Sequence, residues 1–206
     1  MLIRLATGEM SGLPLINHTK ITTMLVSRRS VTFLLLLPFL VACKDLIRAK
    51  DGTLFKTPAD YNEYIIGRQT RIIRNIIELG KQIEISPDTA YSLLDKYSAE
   101  TDTIIADIKG MPPFRADSAF RDAAIRSFTF YKALFNEHYR RILQLRMSDP
   151  GQSEETINEL MEITEKIKRE EEQLAKQLHN AQGEFATRYG MKLRPSAIQQ
   201  EMDKKN

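Results

Sequence analysis

The stretch YNEYIIGRQTRIIRNIIELGKQIEI, Tyr61 to Ile85, decides the fold class. Its apolar residues Tyr61, Ile65, Ile72, Ile76, Leu79 and Ile83 recur at steps of three and four, with Ile66, Ile73 and Ile77 widening the same face. That spacing lines them up along one side of a helix, whereas a half-buried strand would alternate at period two. Just upstream, Thr57-Pro58 supplies a cap residue followed by a proline at the first helical position, where its missing N–H costs nothing.

Working outward from this segment, the punctuation repeats. Ser86-Pro87-Asp88 starts a second helix, Gly110-Met111-Pro112-Pro113 breaks the chain, Asp149-Pro150-Gly151 breaks it again, and Ser153 with Glu154 and Glu155 opens the last helix. Helix two carries Tyr91, Leu94, Tyr97, Ile104, Ile108 and Met111 on one stripe. Helix three carries Phe120, Ala124, Phe128, Tyr131, Phe135, Ile142 and Leu145, and helix four Ile157, Leu160, Met161, Ile167, Leu174, Leu178, Ala181 and Phe185. No segment alternates at period two, so strands are not expected. The fold class is all-α: an antiparallel up-down-up-down four-helix bundle over residues 57–190, because amphipathic helices joined by short breaks become antiparallel neighbours. Residues 191–206, with Pro195 and a polar end, read as a flexible tail.

The whole chain has 206 residues, 42% of them hydrophobic, with a formal net charge of +3 and a pI near 8.9. The excess of positive charge belongs to the N-terminal part. Of the 30 basic and 27 acidic residues, four basic ones (Arg4, Lys20, Arg28, Arg29) and one acidic one (Glu9) lie in 1–43, leaving 26 of each sign in 44–206. Charges there are interspersed along the chain and no basic cluster alternates with aromatics, so nucleic acid is not an expected partner. One cysteine, Cys43, rules out a disulfide within the chain.

That cysteine ends the longest apolar run. Arg28 and Arg29 precede Val31 to Leu40, and Ala42 is the small residue beside Cys43. Charge, a short apolar core and a small residue are the three parts of a secretory signal. A membrane span needs about 20 apolar residues; Val31 to Ala42 supplies twelve and includes Pro38. The quartet Leu40, Val41, Ala42, Cys43 resembles the lipobox of bacterial lipoproteins. The resemblance implies thioether lipidation of Cys43, cleavage before it, and acylation, as with palmitate, of the new amino terminus. Two or three acyl chains would hold a domain on a bilayer without a protein span. The bland alternative is a buried thiol ending a hydrophobic helix. Lys44-Asp45 resembles the start of surface-export signals in some such lipoproteins. Met24 begins a leader of ordinary proportions, so 24–42 is read as the signal peptide, 1–23 as an over-extended start, and 43–56 as the lipidated cysteine with a tether of roughly 40 Å when extended.

Candidate site residues are few. His138 falls on the stripe of helix three between Phe135 and Ile142, as a hydrogen-bonded core histidine or a ligand-binding residue. Dimetal bundles present Glu-x-x-His pairs, but Phe135 and Lys176 stand three before His138 and His179, so no metal is expected. Glu171 lands on the stripe of helix four, opposite position 129 in an antiparallel pairing, where a carboxylate is costly unless paired or near the surface. Arg68, Arg71 and Arg74 flank helix one and meet either anionic lipid or a partner, or simply Glu78 and solvent. The chain has no Gly-rich phosphate loop, no G-x-S-x-G elbow and no H-E-x-x-H pair. The domain broadly resembles uncharacterised four-helix surface lipoproteins. The expectation is a non-catalytic envelope or surface lipoprotein without a cofactor, in the outer membrane facing periplasm or exterior, with an envelope protein or a second copy as partner. A ligand- or metal-binding bundle centred on His138 is the alternative.

Overall fold

The computed structural model describes residues 47–149, 151 and 153–195. The chain divides into Met1–Lys44 and Asp45–Asn206, and everything below concerns the second part. The expected start, leader and lipobox lie outside the described residues.

Helix α1 spans Pro58–Ile85 and begins where the cap chemistry requires. The Asp60 N–H donates to Thr57 Oγ1 at 3.1 Å, and Asp60 Oδ2 accepts from the N–H groups of Thr57 and Lys56, both at 2.9 Å. This reciprocal box satisfies backbone donors that a helix start leaves orphaned. Ser86 alone separates α1 from α2, Pro87–Lys109. Helix α3, Ala119–Ala133, continues through a π turn at Leu134–His138 into α4, Tyr139–Ser148, as one rod. Helix α5, Glu154–Arg188, starts with the Thr156 N–H donating to Ser153 Oγ at 3.3 Å. The described chain is therefore mainly helical, in four rods.

Each rod is held to the next along its length. Arg68 meets Asp107, while Arg71 and Asn75 meet Glu100, so partner numbers fall along α2 as they rise along α1. Lys132 with Asp102 and Arg140 with Asp95 link α2 to the third rod in the same sense. Arg141 with Glu159 at one end and Phe120 with Phe185 at the other link that rod to α5. Helix α5 reaches α1 at its C-terminal end, where Phe185 stacks on Tyr61 at 5.6 Å and the Gln182 side-chain amide donates to Asn62 at 2.8 Å.

Three expectations need correction. Residues 47–56, read as tether, hold a short hairpin: β1 (Ile47–Arg48) pairs antiparallel with β2 (Leu54–Phe55). Asp51-Gly52 does turn the chain, with Gly52 at φ +89°, a left-handed angle that suits glycine. However, the hairpin also buries Ala49 and Phe55 in the core, and the Lys50 N–H donates to the Gly110 carbonyl. A Cβ at Gly110 would come within 3.2 Å of the Lys50 side chain, so the break after α2 is also the seat of the hairpin. The tail expected from Met191 likewise begins inside the fold, since Met191 packs on the core and its N–H caps α5 through the Ala186 carbonyl.

The stripe of α5 is narrower than its sequence suggests. Ile167, Leu178 and Phe185 are buried, but Ile157 is 43% and Met161 62% exposed. The buried line enters α5 through Thr156 and continues by way of the half-buried Leu160 and Ile163.

Candidate functional site

The hairpin end of the fold concentrates aromatic and charged chemistry. Phe55, Tyr61, Phe114, Phe120, Phe185 and Tyr189 form a cluster with ring centroids 4.8–5.6 Å apart. Its two deepest polar tips are satisfied, with Tyr61 O–H donating to the Pro112 carbonyl at 3.2 Å and Tyr189 O–H to the Phe114 carbonyl at 3.1 Å. Burial pushes the Tyr61 phenol well above its ordinary range. The break Gly110 to Pro113, read from sequence only as a stop, is thus pinned by Tyr61, and Phe114 just after it by Tyr189.

Beside this cluster lies a groove between α1 and α2, floored by Gly67 and lined by Tyr64, Arg68, Arg71, Glu100 and Asp107. Arg68 donates to Asp107 at 2.8 and 3.1 Å, reaches Asp51 of the hairpin at 3.3 Å, and stacks its guanidinium 3.3 Å from the Tyr64 ring centroid. Tyr64 O–H donates to Asp51 at 2.6 Å. That bond, with the Thr53 N–H, holds the Asp51 carboxyl below its usual range, and Arg68 adds to the effect. Of the arginine trio, Arg68 is taken by Asp107 and Asp51 and Arg71 by Glu100. Glu78 accepts from the Gln82 side-chain amide at 3.1 Å. The groove is a closed ion-pair network that ties hairpin to helices.

No family model matches this chain, and neither a curated protein nor a solved structure does.

His138 stands at the last position of the π turn and is half-exposed. Its place on the stripe is corrected by one residue. The π turn, in which the Tyr139 N–H donates to the Leu134 carbonyl, inserts an extra residue. The buried line therefore runs from Phe135 to Tyr139 and Leu143, leaving Ile142 only partly covered. Among the described residues no group of three or more His, Cys, Asp or Glu is gathered for a metal. His179 is exposed on α5 beside Gly183 and Glu184. Cys43 and the Leu40, Val41, Ala42, Cys43 motif lie outside the described residues.

Glu171 occupies the seam between α5 and the third rod, facing Tyr131 and Tyr139. Burial raises its carboxyl above the ordinary value, and the charge of Glu172 adds to that. Burial and the Glu171 charge in turn raise both phenols, Tyr139 to about 12. Two tyrosines flanking a π turn thus face a half-buried acid across this seam. The only trace in the sequence was the four-residue spacing of Phe135, Tyr139 and Leu143, which a seven-residue step to Ile142 masks.

Proposed function

We propose that this chain is a lipoprotein of the bacterial envelope, held to a membrane by lipid on Cys43. Its helical domain, with rods in up-down-up-down order, acts through binding or structural contacts and without catalysis. The observation that carries the reading is the order Arg28-Arg29, apolar Val31 to Leu40, then Leu40-Val41-Ala42-Cys43, a leader ending on the only thiol of the chain. Two features support it. No described helix is long and apolar enough to cross a membrane, which is compatible with attachment through lipid. In the α1–α2 groove Arg68 and Arg71 are paired with Asp107, Asp51 and Glu100, which suits a body that works through its surface. The outer membrane is the proposed site, with the domain facing periplasm or exterior and meeting an envelope protein or a second copy.

Mass spectrometry of the chain made in a bacterial host tests this. The expected product begins at residue 43 and carries added acyl mass, and Cys43→Ser loses both. An intact leader with an unmodified thiol would refute the proposal.

A further inference from the structure

The charges of 44–206 cancel in sum, but the fold sorts them by end. Three segments far apart in sequence meet at the hairpin end: 47–57, 109–117 and 188–195. They are joined by the Lys50 N–H to Gly110 carbonyl bond, the Tyr189 O–H to Phe114 carbonyl bond and the Arg188–Asp117 ion pair. Together they hold eight basic side chains and two acidic ones. All eight bases are exposed, among them Lys50, Lys56, Lys109, Arg115, Lys192 and Arg194. Both acids are engaged, Asp51 with Arg68 and Asp117 with Arg188. Of the carboxylates behind them, Asp60 is held in the α1 capping box, Asp107 on Arg68, and Asp122 on Ser118 and Arg121, while Glu63 and Glu184 are exposed. The opposite end has the reverse sign, with five acids and one base in residues 84–89 and 146–156.

Two details sharpen the basic end. Arg115 and Ala116 both have positive φ, 48° and 67°, in a two-residue turn closed by paired Phe114–Asp117 backbone bonds of 3.0 and 2.9 Å. Neither is glycine, so the turn is under backbone strain, and it leaves Arg115 exposed with its guanidinium 5.6 Å from the Phe114 ring and 5.9 Å from the Tyr189 ring. Phe114, its anchor, is buried in the aromatic cluster. In addition, Leu193 is 39% exposed between Lys192 and Arg194, an apolar side chain set among cations.

We infer that this basic end docks flat on an anionic phospholipid leaflet, with Arg115, Lys192 and Arg194 at its centre. The inference rests on the lipoprotein reading, because lipid on Cys43 fixes which end faces the bilayer. The described hairpin includes Ile47, four Cα steps from Cys43, a reach of at most roughly 14 Å. A tether that short holds the hairpin end within one to two Debye lengths, each about 8 Å, of the headgroups. The acidic end then points away. Each Lys or Arg near such a surface contributes about five-fold to the docking constant.

The test uses the full chain made in a bacterial host, with a fluorophore on Ala119→Cys at the basic end or Ser92→Cys at the other. The protein is reconstituted into vesicles of phosphatidylcholine, alone or mixed with phosphatidylglycerol, containing spin-labelled lipid. The basic-end probe is expected to be quenched in the anionic vesicles and the Ser92→Cys probe to stay bright. Docking should weaken about five-fold with each of Arg115→Gln, Lys192→Gln and Arg194→Gln, and with rising salt, while circular dichroism remains unchanged. Equal quenching in both lipids, on a chain whose mass shows acylated Cys43, overturns the docking and leaves the anchor standing. Absence of acyl mass removes the anchor reading and this inference with it. A basic-end probe that responds only when envelope proteins are supplied assigns the patch to an acidic protein and likewise overturns the lipid assignment.

Discussion

Truncating Phe185 to alanine tests whether the aromatic cluster joins α5 to the rest of the fold. The ring is 2% exposed and lies 4.8–5.6 Å from Tyr61, Phe114, Phe120 and Tyr189, which come from α1, the break after α2, α3 and the end of α5. Removing a buried phenylalanine costs about 3–5 kcal/mol through lost transfer energy and the cavity left behind. Each aromatic pair is worth about 0.5–1.5 kcal/mol beyond its area, but those pairs share one ring and do not add in full. A loss of about 4 kcal/mol is therefore expected, lowering Tm by roughly 8–16 °C in a chain of this size. Urea unfolding of the full chain, followed by far-UV circular dichroism, reads the loss as a lower midpoint at constant slope. Ile157→Ala, on the exposed line of the same helix, should cost less than about 0.5 kcal/mol. The reasoning fails if Phe185→Ala costs under about 1 kcal/mol, or if the two variants lose similar amounts.

Three further outcomes follow from the geometry. Glu171 has a carboxyl raised by burial, so its contribution is fully present below the unfolded value and is lost as pH rises through the folded one. Glu171→Gln should therefore gain stability relative to the parent at neutral pH and show a flatter profile as pH rises above the ordinary carboxylate range in thermal melts. Ala116→Gly relieves a left-handed residue at φ 67° and should stabilise by about 1 kcal/mol, visible as a higher urea midpoint. Arg68→Gln removes two ion pairs and the stacking on Tyr64, and should cost about 1–2 kcal/mol, a loss that shrinks at high salt. A loss indifferent to salt would assign the effect to packing of the Arg68 stem instead.

Much of the helical scaffold was legible because its signals are local. Thr57-Pro58, Ser153 and the Gly110–Pro113 break act within a turn of themselves, and the stripe of α1 is buried at Tyr61, Ile65, Ile72, Leu79 and Ile83. The errors arose where a distant partner overrode the local pattern. Ala49 and Phe55 look like tether residues until the Gly110 break and Tyr61 provide a surface to bury them. Ile157 and Met161 carry the right spacing on α5 but stay exposed, whereas Thr156 is buried. His138 shares the phase of the stripe only if the helix is regular, and the π turn moves Tyr139 into that place.

Read alone, the sequence determined where helices start and stop, that 44–206 is neutral in sum, and that a lipobox-like motif ends on Cys43, since caps, counts and short motifs depend on near neighbours or on none. Only the tertiary structure decided that Ile47 to Phe55 fold as a hairpin, that Tyr131, Tyr139 and Glu171 share a seam, and that eight bases meet at one end. The physical reason is that a net charge has no position. Lys50, Arg115 and Arg194 are separated by more than sixty residues at each step, and it is packing of Phe114 and Tyr189 into one aromatic cluster that makes their fields add.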